Sequence, residues 1–141
     1  LKQHLPKLAA HLAACGFDAG VFIPAWVMPL FVGVLPVSAA VPVWDFLLTR
    51  EPGIGPSAAP LAVCVALFKM HADVLMGLND PGEMLVELTQ RAQCTCDGLR
   101  LVKMAHELKL QPATVRALRR RHRGRLAHEA AERLPPPPRP P

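Results

Sequence analysis

The sequence predicts an all-α protein of about six to seven helices. Apolar residues recur every three or four positions, as in the stripe Leu5, Leu8 and Leu12, which is the spacing of one helical face. No window alternates apolar and polar residues between turn signals, as a strand would. A chain of 141 residues is long enough to bury a hydrophobic core. The sequence therefore indicates one helical domain with a tail.

Residues that start and stop helices give the order of the N-terminal elements. The first three helices are predicted over about 5–15, 20–33 and 36–49. Pro6, Pro24 and Pro36 are placed in first turns, where no backbone N–H is needed, and Gly16 ends the first helix. The next segment, REPGIGPS at 50–57, is predicted to be a loop because of its glycines and prolines.

The C-terminal elements are marked by capping residues. Helices are predicted over about 57–78, 80–93, 97–108 and 112–133. Asp80 is expected to cap the second of these, with Pro81 at its first position and Glu83 placed for a capping box. Asp97 opens an amphipathic helix, and Pro112 opens the last helix.

The longest uncharged run, residues 19–44, raises the question of a membrane span. It is long enough, since a spanning helix needs about 20 apolar residues. It contains four prolines, however, and each interior proline costs about 3 kcal/mol. Asp18 and Asp45 bracket the run, where Lys or Arg would anchor a span. We therefore expect two short helices buried in an all-helical core, with a small helical membrane protein as the alternative.

Charge divides the chain into unlike parts. Residues 1–92 carry five Lys and Arg against seven Asp and Glu, whereas residues 93–141 carry eleven against four. The sequence predicts a near-neutral body, a basic helical extension and a Pro-rich disordered tail, over residues 1–93, 94–134 and 135–141. The four cysteines and six histidines lack metal-site spacing, and no cofactor motif is present, so no cofactor is expected.

An ordered set of short motifs runs through the first 92 residues. The set is Leu5-Pro6-Lys7-Leu8, Trp26, Phe31, Leu35-Pro36 and Val43-Trp44-Asp45. In this order and spacing it resembles the C-terminal half of the TBC domain, the Rab GTPase-activating module. The resemblance implies a structural, not catalytic, role for Trp26, Leu35, Pro36, Trp44 and Asp45. In one departure from the family, Pro42 stands where a basic residue is usual.

The resemblance also implies where catalysis would lie. The family uses an arginine in an Ile-x-x-Asp-x-x-Arg motif and a glutamine in a Tyr-x-Gln motif, both in the N-terminal half of the domain. The isoleucines here, Ile23 and Ile54, are followed three residues later by Trp26 and Ser57, and the chain has no tyrosine. We therefore expect no catalytic residue here: the chain is not itself an enzyme but part of a GTPase activator, inactive alone.

The segment RALRRRHRGR at 116–125 holds six arginines. Its candidate binding residues, for an anionic membrane surface or an acidic partner, are Arg119, Arg120, Arg121 and Arg123. A solvated helix face is the alternative. No aromatic residue is interleaved, so nucleic acid is not favoured. The tail from Pro135 to Arg139 has a Pro-x-x-Pro-Arg form that SH3-type domains accept, with an unliganded tail as the alternative.

Two functions of different classes follow from these patterns. The first is participation in the activation of Rab-type small GTPases, in which an N-terminal half supplies the catalytic residues and this half supports them and contacts the GTPase. The second is a catalytically inactive helical interaction or scaffold module in membrane trafficking. Both imply a cytoplasmic protein, peripheral at intracellular membranes.

Overall fold

The computed structural model describes residues 1–49 and 58–133, with side chains described as far as Gly124. The helices in these ranges are α1 Pro6–Ala14, α2 Ala19–Val27, α3 Val37–Leu48, α4 Ala59–Met70, α5 Ala72–Met76, α6 Pro81–Gln93, α7 Gly98–Glu107 and α8 Pro112–Arg133. No strand occurs in the described ranges, and the all-α prediction is confirmed. The predicted loop at 50–57 and the tail at 135–141 lie outside the described residues.

Aspartate side chains begin α6 and α7 as the sequence predicts. Asp80 Oδ1 accepts a hydrogen bond from the backbone N–H of Glu83 at 2.9 Å. Asp97 Oδ1 accepts one from the backbone N–H of Arg100 at 2.8 Å. Each bond satisfies a first-turn donor that has no partner within the helix. Local capping chemistry therefore fixed these starts.

The long helix predicted over 57–78 is two helices, so the described residues hold one more helix than the upper prediction. His71 leaves helical geometry, with φ −111° and ψ 16°, between α4 and α5. Its Nε2 is buried without a hydrogen-bond partner among the described residues, and desolvation lowers the pKa of this imidazole. No sequence signal marks this break, because neither Gly nor Pro stands at the junction.

The predicted second helix is too long at its C-terminus. α2 ends at Val27 rather than near residue 33. Beyond it Leu30 and Phe31 take positive φ values of 50° and 65°, which belong to turns and not to right-handed helices. The Phe31 N–H donates to the carbonyl of Trp26 at 2.8 Å and closes the turn. An apolar turn of this kind has no polar sequence signature.

Pro24 was wrongly placed in a first turn. Asp18 caps α2 through a 2.8 Å bond from the Gly20 N–H, so the helix begins earlier and Pro24 falls inside it. Pro42 lies inside α3 in the same way. Each proline removes the donor to the carbonyl four residues earlier. Those carbonyls belong to Gly20 and Ser38, which are both exposed, so water can satisfy them.

The core is built around α4. Its buried residues are Ala59, Ala62, Val63, Cys64, Val65, Ala66, Leu67 and Phe68. The Phe68 ring lies 5.9 Å from that of Trp26 and 6.3 Å from that of Phe17, between centroids, which ties α4 to α2. Burial raises the pKa of the Cys64 thiol to about 12, so this cysteine behaves as a small apolar residue.

The expectation that both helices of the uncharged run are buried is wrong. α2 buries Trp26, and α3 buries one face, whereas Val21, Met28 and Val37 are 64%, 82% and 74% exposed. In the described ranges no single helix has the length and apolar character for a bilayer span. α1 and α2 satisfy both criteria only when counted together, and they meet at 113°.

α7 lies directly against α3. A Cβ built on Gly98, the first residue of α7, would stand 2.7 Å from both Cα and O of Ala39 in α3. That distance is shorter than any van der Waals contact between such atoms. Only glycine therefore allows α7 to approach α3 this closely.

Candidate interaction surfaces

Trp44 joins α3 to the turn that precedes it. Its indole Nε1–H donates to the carbonyl oxygen of Leu30 at 2.7 Å. The indole is partly buried, whereas Trp26 is 5% exposed. Leu30 is one of the residues with positive φ, so the hydrogen bond holds a turn that its own backbone preference disfavours. This arrangement gives Trp44 a packing and positioning role.

The other residues assigned a structural role differ in their surroundings. Leu35 is buried in the core, and Pro36 precedes the first residue of α3 as its N-cap. Asp45 is exposed, and its backbone carbonyl accepts the Thr49 hydroxyl at 2.6 Å. Among the described residues, the indole of Trp44 therefore finds its acceptor in Leu30 and not in the Asp45 carboxylate.

α3 presents an apolar face to solvent. Val37, Val41 and Leu48 are 74%, 45% and 82% exposed, and with Trp44 they follow the i, i+4, i+7, i+11 spacing of one helical face. We call these four residues the α3 apolar face. Exposed apolar side chains aligned in this way make the face a candidate contact surface.

A second surface lies on α8. The side chains of Arg116, Arg119, Arg120 and Arg123 line one groove together with Ala113. The four arginines follow the i, i+3, i+4, i+7 spacing of one helical face. We call them the α8 arginine face. It places four arginine side chains along one groove, and a guanidinium group carries donors for phosphate or carboxylate oxygens.

This face differs by one residue from the set chosen by sequence. Arg119, Arg120 and Arg123 are brought together, but Arg121 does not line the groove. At 100° per residue Arg121 is turned about 140° from Arg116. Arg116 was missed because the run of consecutive arginines begins later. Helical spacing from Arg123 back to Arg116 is the signal that would have found it.

Other kinds of site are not formed by the described residues. No group of three or more His, Cys, Asp or Glu side chains there could hold a metal ion. All four cysteines are free. Arg91 in α6 is engaged by Glu87 through a 2.7 Å ion pair on the same helix.

Comparison with known proteins identifies the family. The sequence model of the Rab-GTPase-TBC domain matches residues 1–76, more than half of the chain. TBC1 domain family member 2A from Mus musculus and from Rattus norvegicus are each 27% identical over 134 residues, and the Bos taurus protein is 29% identical over the same length. No solved structure matches.

The match to these relatives covers 94% of this chain, so it extends past the family model into α6, α7 and most of α8. It covers only 14% of the length of each relative. The resemblance first read from Leu35-Pro36 and Val43-Trp44-Asp45 is thereby confirmed. The chain belongs to the Rab-GTPase-TBC domain family.

Proposed function

We propose that this chain forms the C-terminal part of a unit that activates Rab-type GTPases, where it supports catalytic residues supplied by an N-terminal half. The family match over residues 1–76 carries the proposal. The α3 apolar face supports it, because aliphatic side chains exposed along a helix are suited to packing against further helices. The complete unit would bind the GTPase and work in the cytoplasm at the surface of intracellular membranes.

The chain by itself would not accelerate GTP hydrolysis. An arginine finger supplied in trans is worth about 10³–10⁵ in rate, and this sequence contains neither the family's arginine motif nor its glutamine motif. The described arginine nearest the family-matched segment, Arg91, is paired with Glu87.

The test is single-turnover GTP hydrolysis on a panel of Rab GTPases. Three proteins are compared: the 1–141 chain, mouse TBC1 domain family member 2A, and a chimera of that relative in which 1–141 replaces the matching segment. We expect the chain alone to stay within about twofold of the intrinsic rate, because it lacks the finger. We expect the chimera to keep the rate of the relative to within about tenfold, a loss of about 1.4 kcal/mol of transition-state stabilisation.

A matched pair of chimeras tests the α3 apolar face. Changing Val37, Val41 and Leu48 to Asp should abolish stimulation, because a buried unpaired carboxylate is costly. The control changes Val86, Leu99 and Leu118 to Asp, which are 54%, 73% and 57% exposed on other helices. It should keep the rate. Stimulation of about tenfold or more by 1–141 alone would contradict the proposal, and Arg50→Ala would then be the first variant to examine.

The alternative is an inactive module that binds a partner through the same fold. The α3 apolar face favours it, because exposed apolar side chains aligned on one helical face can bind a partner. A chimera that still binds the GTPase in its GTP form but gives no stimulation would support this alternative over the first proposal.

A further inference from the structure

The described part of α8 lies outside the core after its first turn. Val115 is 3% exposed, and every residue from 116 to 124 is exposed. The helix has 22 residues and is therefore about 33 Å long at 1.5 Å per residue. Residues 116–124 are therefore not arginine-rich because of any packing against the body.

The charged residues in the first part of this helix are all positive, and they are all arginines. No Asp or Glu occurs between Glu107 and Glu129. Every Lys or Arg position from 112 to 125 is Arg, although the chain has lysines elsewhere, for example Lys103 and Lys109. Arginine presents a planar fork that binds two oxygens of one phosphate, whereas lysine is a point charge. A helix that needed only positive charge would be served equally by lysine.

The α8 arginine face has almost no apolar component. Among the residues with described side chains, Ala113 is the only non-polar one that lines its groove, and Leu118 is turned about 160° from Arg116 at 100° per residue. Interfaces between proteins are centred on buried aromatic or aliphatic anchors, and binding of single-stranded nucleic acid relies on aromatic stacking. The described face offers neither. A membrane surface requires neither, because anionic headgroups attract clustered basic residues additively.

We propose that the α8 arginine face docks on membranes by binding the phosphomonoester groups of phosphorylated inositol lipids. Arginine side chains on one side of a helix can engage oxygen pairs in a plane of headgroups. The opposite side, with Leu118 and Arg121, stays away from the lipid. This inference does not depend on the proposed GTPase activation, which involves the helices of the family-matched segment.

The test is co-sedimentation of the full 1–141 chain with three kinds of vesicle. These contain phosphatidylcholine alone, phosphatidylcholine with phosphatidylserine, and phosphatidylcholine with phosphatidylinositol bisphosphate at equal surface charge. We expect the chain to prefer the inositol lipid to phosphatidylserine by about tenfold, because only the former presents phosphomonoesters to the arginine forks.

Two variants of the α8 arginine face distinguish an effect of positive charge from an effect of the guanidinium group. Changing Arg116, Arg119, Arg120 and Arg123 together to Gln should weaken binding to the inositol-lipid vesicles by more than about tenfold. Changing the same four residues to Lys keeps the charge and should retain binding to phosphatidylserine while removing the preference for the inositol lipid. Arginine and lysine have similar helix propensities, so the helix is retained, which far-UV circular dichroism checks.

The matched control removes four charges elsewhere. It changes Arg100, Lys103, Lys109 and Arg121 to Gln, and we expect a loss of less than about threefold. An equal loss in the control would show that only net charge matters and would overturn the proposal. An undiminished inositol-lipid preference in the lysine variant would overturn it too, as would absent vesicle binding or tighter binding to duplex nucleic acid at the same ionic strength.

Discussion

The helices α4 and α8 differ in what stabilises them. Every residue of α4 from Ala62 to Phe68 is buried, so packing on all sides stabilises the helix. α8 buries Val115 and no later described side chain, so its helical geometry there depends on its own residues. The comparison shows that packing constrains the body, whereas the exposed side chains of residues 116–124 are not constrained by packing against it.

The largest expected difference comes from the same substitution in the two helices. Leu67→Ala removes a side chain that is 0% exposed and should lower the free energy of unfolding by about 2–5 kcal/mol. Leu118→Ala, at a position that is 57% exposed, should change it by less than about 0.5 kcal/mol. Urea unfolding followed by far-UV circular dichroism measures both. Equal losses would mean that α8 is packed as firmly as α4.

Glycine gives a second contrast between the body and α8. Gly98→Ala would place a methyl group 2.7 Å from the backbone of Ala39 and should cost about 1–3 kcal/mol of stability. Gly124→Ala meets no heavy atom within 4 Å and should stabilise α8 by about 0.5–1 kcal/mol. Thermal unfolding tests the first variant and helix content the second. A neutral Gly98→Ala would show that α7 can move away from α3 without loss.

The smallest effect concerns the hydrogen bond between Trp44 and Leu30. Trp44→Phe keeps an aromatic ring but removes the N–H donor, which should cost about 0.5–1.5 kcal/mol. Trp44→Ala should cost more, yet less than the 3–5 kcal/mol typical of a fully buried indole, because Trp44 is partly buried. If Trp44→Phe unfolded the protein as readily as Trp44→Ala, the hydrogen bond would be the dominant contribution of this residue.

The sequence predicted those features that depend on local chemistry. The starts of α6 and α7 followed from Asp80 and Asp97, whose carboxylates accept first-turn N–H groups. α8 begins at Pro112 as predicted, because the first helical position needs no backbone N–H donor. The TBC motifs could be recognised because Leu35-Pro36 and Val43-Trp44-Asp45 combine a helix start with a bulky aromatic residue at fixed spacing.

What the sequence did not predict depends on tertiary contacts. The break at His71 has no Gly or Pro to mark it, and the turn at Leu30 and Phe31 lies in an apolar stretch, where hydrophobic periodicity does not show where a helix ends. The burial of α3 was overestimated for the same reason, because a helix that is apolar on every side gives no indication of which face is covered. Arg116 stands apart from the run of consecutive arginines in the sequence and joins Arg119, Arg120 and Arg123 only on the helix surface.

The close approach of Gly98 to Ala39 gives residue 98 an influence beyond stability. An added methyl group would have to gain about 1 Å to reach an ordinary contact distance of about 3.5–4.0 Å. α3 would move by that amount or α7 would tilt, and α3 carries Val37, Val41 and Leu48 on its opposite, exposed side. The size of residue 98 would therefore set the position of the α3 apolar face, although Gly98 lies on the other side of α3. Residue 98 is thus a spacer between α7 and α3, and a larger side chain there would shift an exposed face on the far side of α3.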